Sequence, residues 1–120
     1  MPEGESGASE KSADDSAERL EFVLEHDPRG ACLRLMGELD LATAPELDLV
    51  LAQLTADGHD RVLIDLSELQ FMDSTRLGSI VRAHDNADAN GNHVLVRLGK
   101  PQVRRLFEIT GLLERLDIEG

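Results

Sequence analysis

The sequence predicts a single α/β domain built around a parallel or mixed sheet. Its length of 120 residues suits one domain of ordinary size. Strand-like runs alternate with segments of helical spacing, which is typical of right-handed crossovers between parallel strands. Two continuous apolar runs, at residues 61–66 and 93–98, indicate strands buried on both faces beneath helices. A composition of 41% hydrophobic and 30% charged residues is that of a globular protein.

A disordered acidic tail is expected over residues 1–20, and the folded domain over residues 21–120. The tail is rich in Ser, Gly and Ala, and it carries six acidic and two basic residues. It has too little apolar surface to offset the entropy that ordering would cost. Two strand-like runs follow at residues 21–27 and 31–36. The Pro-Arg-Gly turn signal at residues 28–30 joins them and predicts a hairpin.

The first helix is predicted to begin near Thr43 and to end at Gly58. Thr43 and Glu46 have the spacing of a capping box, in which the two side chains bond free backbone N–H groups at the helix start. Pro45 suits the first turn, where its missing N–H group is no loss. Leucines then recur at helical spacing until the glycine that ends the run.

Two further helices alternate with the apolar strands. The second is predicted from about Ser74, with Leu77 and Ile80 on its inward face. The third is predicted to start near Pro101 and to end at Gly111. The resulting order is β, β, α, β, α, β, α, and a short last strand can follow.

Charge and composition exclude several classes of partner and site. The formal net charge of −12 repels phosphate backbones and anionic lipids, so neither nucleic acid nor membrane is a predicted partner. With three Phe and no Trp or Tyr, the chain also lacks aromatic platforms for stacking bases. The single cysteine, Cys32, allows no disulfide within the chain, and no run of about 18 apolar residues is present. The sequence therefore predicts a cytoplasmic location.

An Asp-Ser-Thr trio at residues 73–75 is the candidate functional site. A serine nucleophile needs a base within hydrogen-bond reach, but His84 lies ten residues further along the same predicted helix, about 15 Å away. The histidines are scattered, so the sequence predicts no catalysis, no metal and no cofactor. Two interpretations remain. The trio can cap the helix, or the serine can accept a phosphoryl group at the positive end of the helix without unfolding it.

Four stretches in order resemble the STAS domain, and in particular the bacterial anti-sigma factor antagonists. They are GELDLATAPEL (37–47), LIDLSEL (63–69), FMDSTRLGSIV (71–81) and VRRLFEITGL (103–112). The resemblance implies a mixed sheet of four or five strands with helices packed on it. It also implies that the unphosphorylated protein binds an anti-sigma factor, often a serine kinase, and thereby frees a sigma factor. Phosphorylation by that kinase ends the binding, and a phosphatase restores it.

The resemblance also implies residue roles in two loops. Ser74 corresponds to the phosphorylated serine of the family. The positions implied to contact the partner are Asp40, Leu41, Thr43, Asp73, Thr75 and Arg76. Arg76 departs from the family, which commonly has glycine there. It can be a solvated side chain, pair with Asp73 or with a phosphate on Ser74, or change which kinase docks. The alternative function is a scaffold of the same fold in a larger regulatory assembly, with Ser74 as a mere cap.

Overall fold

A five-stranded mixed sheet forms the centre of the domain. The computed structural model describes residues 20–28, 30–40 and 42–119. The strands lie side by side in sequence order; only the first pair is antiparallel, and the other three pairs are parallel. The predicted fold class is confirmed. The strands are β1 (Glu21–Asp27), β2 (Gly30–Leu39), β3 (Arg61–Met72), β4 (His93–Arg97) and β5 (Asp117–Ile118).

Four helices complete the described part of the chain. They are α1 (Ala44–Ala56), α2 (Leu77–Ala89), α3 (Pro101–Ile109) and the one-turn α4 (Leu112–Arg115). The predicted order of strands and helices is confirmed, and α4 is an element that the sequence patterns did not predict. Within the described residues, no helix combines the length and the apolar character that a membrane crossing needs.

The predicted tail falls almost entirely outside the described residues. Only Leu20, its last residue, is described, and its side chain is buried in the core. The core therefore includes Leu20, which the prediction assigned to the tail. The rest of the tail, residues 1–19, stays a prediction.

The helices pack on one face of the sheet and leave the other face open. Along β2, Leu33 and Leu35 are fully buried in the core, whereas Cys32 between them is only partly buried. Leu63 and Leu95, which pair in register with Cys32 across β3 and β4, are partly exposed as well. The expectation that both apolar strands are buried on both faces is therefore wrong. The helices form a single layer, and it packs on one face of the sheet only.

A row of charged side chains crosses this open face. The Asp65 carboxylate, 2% exposed, accepts hydrogen bonds from Arg34 Nε and Arg97 Nη1, both at 3.4 Å, and from the Ser67 backbone N–H at 2.9 Å. Arg97 also binds Glu119 at 2.8 Å. Burial acts to raise the pKa of Asp65, but the hydrogen bonds from Ser67 and Arg34 and the charge of Arg97 outweigh it. The pKa of Asp65 therefore lies below its usual value.

Strand β3 is longer than the sequence predicts. The apolar run indicated a strand that stops at Leu66, but pairing with β2 continues to Met72. The extension brings the residues that follow both strands into contact, since the Asp73 backbone N–H donates to the Leu39 carbonyl at 3.0 Å. Pairing with a neighbour, rather than an apolar pattern, makes this segment a strand.

Candidate functional site

Two loops that are far apart in sequence meet at one edge of the sheet. Strands β2 and β3 are parallel, so their carboxyl ends emerge at the same edge, where open α/β sheets commonly place their binding sites. We name residues 40–43 and 73–76 together the loop edge. Of the predicted partner contacts there, Leu41 lies outside the described residues. The other five, and Ser74, are brought together by the fold.

Ser74 is an exposed residue at the centre of the loop edge. It begins a single 3-10 turn, Ser74–Arg76, and the α-helix starts only at Leu77. The prediction of a helix from about Ser74 is thus right in position, with a tighter first turn. The Ser74 hydroxyl forms no hydrogen bond with any residue that the structure describes, so a group attached to this oxygen would break no such bond.

Asp73 is the residue that caps the turn. Its backbone is extended, with φ −74° and ψ 133°, and its Oδ1 accepts hydrogen bonds from the Thr75 backbone N–H and the Thr75 hydroxyl, both at 3.0 Å. The two bonds from Thr75, aided by the charge of Arg76, lower the pKa of Asp73. The carboxylate is therefore ionised at neutral pH. The interpretation that the trio caps the helix start is confirmed for Asp73, whereas Ser74 makes no such bond and is not the cap.

Arg76 is tied to this trio rather than extended into solvent. Its Nε donates to the Thr75 hydroxyl at 3.0 Å, and its side chain is half-buried. Among the described residues it forms no direct ion pair with Asp73; Thr75 lies between the two charges. A chain of two hydrogen bonds thus links the guanidinium, through the Thr75 hydroxyl, to the Asp73 carboxylate.

The second loop is organised by Asp40 and Thr43. Asp40 Oδ1 accepts hydrogen bonds from the backbone N–H groups of Ala42, at 3.0 Å, and Thr43, at 3.2 Å. The buried Thr43 hydroxyl donates to the Glu38 carbonyl at 3.1 Å. The predicted capping box is wrong, since the Thr43 side chain makes no cap bond to α1 and turns back toward β2. Thr43 therefore holds the shape of the loop.

The chemistry available at the loop edge is that of an exposed hydroxyl beside fixed charges. His84 is engaged elsewhere, with Nδ1 3.2 Å from Asp85 and Nε2 3.5 Å from Asp117. In the described ranges, no three His, Cys, Asp or Glu side chains are grouped as metal ligands would be. The geometry fits a modified or partner-contacting residue better than a nucleophile, because Ser74 has no described base to activate it.

Phe71 is a surface feature that the sequence patterns did not single out. It lies on β3 two residues before Asp73, and its side chain is 48% exposed. A large apolar side chain in a strand is usually buried in the core, so its residue type alone would predict that Phe71 is buried. The sequence held one sign that Phe71 could be exposed: after Leu66 the polar residues Ser67, Glu68 and Gln70 interrupt the apolar run.

Comparison with known proteins agrees on one family. A family model for the STAS domain matches residues 21–119. Over 86 residues the chain is 34% identical to the anti-sigma-B factor antagonist of Staphylococcus aureus (strain NCTC 8325 / PS 47); the match covers 72% of this chain and 80% of that protein.

Solved structures of other proteins share the fold. The crystal structure of an anti-sigma factor antagonist from Mycobacterium paratuberculosis superposes with a TM-score of 0.78, at 24% identity over 84% of this chain and 86% of that one. The Bacillus cell fate determinant SpoIIAA in its phosphorylated form gives a TM-score of 0.65, at 22% identity over 83% of this chain and 92% of that one.

Proposed function

The chain belongs to the STAS domain family, and from this premise we propose that it is an anti-sigma factor antagonist switched by phosphorylation of Ser74. In its unphosphorylated form it binds an anti-sigma factor that is a serine kinase, and a sigma factor is released. Phosphorylation of Ser74 by that kinase ends the binding, and a phosphatase restores it. The protein itself is a cytoplasmic binding module without catalysis or cofactor.

One observation carries the proposal. The Ser74 hydroxyl is exposed and makes no hydrogen bond within the described structure, while Asp73 and Thr75 on either side form the cap. A phosphoryl group can therefore be added and removed without breaking the start of α2. The fold persists in both states, and the change is felt by a protein that binds over the site.

The charges at the loop edge explain how the switch would act. A phosphoserine carries a charge of about −1.5 to −2 at neutral pH. It would stand beside the ionised Asp73, on a protein whose formal net charge is already −12. A partner that buries this edge would have to desolvate the added charge and place a matching cation opposite it. We assign the partner surface to Asp40, Leu41, Thr43, Asp73, Thr75 and Arg76.

The relatives support both halves of the proposal. The Staphylococcus aureus relative is named for an anti-sigma-B factor, which indicates the class of partner. SpoIIAA, which shares the fold, is known in a phosphorylated form, and this supports a modification that leaves the fold in place. The assignment of Ser74 rests on this chain's own geometry.

Affinity purification with acidic variants tests the switch. Tagged wild type, Ser74→Glu and Ser74→Ala are compared with Ala89→Glu, which adds the same charge at the exposed far end of α2, about 20 Å along the helix from Ser74. We expect an anti-sigma kinase with the wild type, Ser74→Ala and Ala89→Glu, and its loss with Ser74→Glu. Incubation with that kinase and ATP should place phosphate on Ser74, as mapped by mass spectrometry.

Two results together would refute the switch: undiminished binding by Ser74→Glu and no phosphate on Ser74 with the recovered kinase. Self-assembly of the wild type, measured by size-exclusion chromatography with light scattering, would then favour the scaffold. A scaffold keeps its partners in all four proteins, so the two functions give different patterns.

A further inference from the structure

Phe71 is placed outward by an irregularity of the sheet. The side chains of Leu69 and Met72 on either side are buried in the core, and strict alternation from Leu69 would turn Phe71 inward. The β2–β3 pairing instead shifts register here: Leu69 pairs with Gly37, and Phe71 with the next residue, Glu38. The extra residue in β3 is a bulge, a feature that re-aims side chains next to functional sites.

The exposure of Phe71 is unusual within this chain. Of the three phenylalanines, Phe107 is fully buried and Phe22 is partly buried against the core. Phe71 lies on the strand that leads directly into the loop edge, three residues before Ser74. The exposed part of this ring gains nothing from the fold of the isolated domain, but it would be removed from water on contact with a partner.

Acidic residues flank Phe71 on both strands. Glu38 is its cross-strand neighbour, and Glu68 precedes it on the same face of β3. Neither carboxylate forms an ion pair with a residue that the structure describes. Asp73 follows Phe71 by two residues, so the segment around the ring carries several negative charges. A second copy of this chain would bring equal charges together, so self-association through this patch is disfavoured.

We propose that Phe71 anchors the anti-sigma factor, and that the matching surface of that partner is an apolar pocket bordered by basic side chains. This inference rests on the proposed function and extends its surface from the loop edge onto the open face of the sheet. Interfaces concentrate their energy in a few aromatic or arginine anchors, and charges at the rim steer association. A phosphate on Ser74 would then lie at the rim of the interface that Phe71 anchors.

Alanine substitution at matched exposed positions tests the anchor. Phe71→Ala is compared with Leu49→Ala on α1 and Ile109→Ala on α3, whose side chains are 73% and 68% exposed. The probe is the anti-sigma factor recovered with the wild type, purified and titrated by calorimetry. We expect Phe71→Ala to raise the dissociation constant at least 30-fold, which is the size of effect seen for a hot-spot residue. The two controls should stay within twofold, and all three should melt within a few degrees of the wild type.

Charge reversal tests the basic rim and does not depend on the folding of Phe71→Ala. Glu68→Arg is compared with Glu114→Arg, another exposed position, on α4. We expect about a tenfold lower association rate for Glu68→Arg in low salt and no change for the control.

The outcomes separate the inference from the proposed function. If the wild type binds an anti-sigma factor and Phe71→Ala binds it within twofold, the anchor is refuted and the function stands. If Phe71→Ala fails to fold, an unchanged association rate for Glu68→Arg refutes the proposal that the partner contacts this surface with a basic rim. If the wild type captures no anti-sigma factor, the function and the anchor both fall.

Discussion

Replacing Asp65 with asparagine should lower the free energy of unfolding by about 2 kcal/mol at neutral pH. The variant keeps the shape of the side chain and removes its charge. Asp65 is 2% exposed and accepts hydrogen bonds from two arginines. A hydrogen bond to a charged group contributes about 1.5–3 kcal/mol. The side chains of Arg34 and Arg97 are 34% and 42% exposed, so water screens both pairs and the sum is discounted.

The pH dependence identifies charge as the cause. The folded state lowers the pKa of Asp65 relative to an unfolded aspartate, whose pKa is about 3.9. Its contribution to stability is therefore complete above the unfolded pKa and is lost as the pH falls through the folded pKa. The difference between wild type and Asp65→Asn should stay constant from pH 7 to about pH 5 and shrink below about pH 4. Urea unfolding followed by circular dichroism measures it.

Asp48→Asn serves as the matched control. Asp48 lies 3.6 Å from Arg82, and both side chains are largely exposed. An exposed pair of this kind contributes at most about 1 kcal/mol. Equal losses in the two variants, or a difference for Asp65→Asn that persists unchanged below about pH 3, would show that the buried charge is not the source.

Three further predictions concern α2 and the loop edge. Ile80→Asp should unfold the domain, because it places a charge at a fully buried position of the core; a wild-type melting curve by circular dichroism would contradict this packing. Thr43→Val should cost about 1–2 kcal/mol and speed hydrogen exchange in its loop, since the Glu38 carbonyl loses its buried donor; unchanged exchange would remove Thr43 from that role. With phosphoserine installed at position 74, Arg76→Gln should raise the second pKa of the phosphate by roughly half a unit in a phosphorus NMR titration, because the guanidinium favours the dianion. An unchanged value would place Arg76 out of reach.

The local sequence determined the kind and order of the elements. Apolar runs at residues 61–66 and 93–98 predicted strands, and leucines at helical spacing after Pro45 predicted one face of a helix. The loop at residues 73–75 followed, since it lies where one period ends and another begins, whereas the role of residues 40–43 came from the resemblance to the STAS domain. Ser74 was found from this change of period, at the junction of β3 and α2.

Only the tertiary structure decided which neighbour each side chain of those loops would meet. The capping role fell to Asp73 rather than Ser74, and the Thr43 hydroxyl turned toward Glu38, because these bonds depend on how two converging backbones are oriented. The outward position of Phe71 depends on a bulge that exists only when β3 pairs with β2. Periodicity is a property of consecutive residues, but exposure and hydrogen bonding are settled by residues that are distant in the chain.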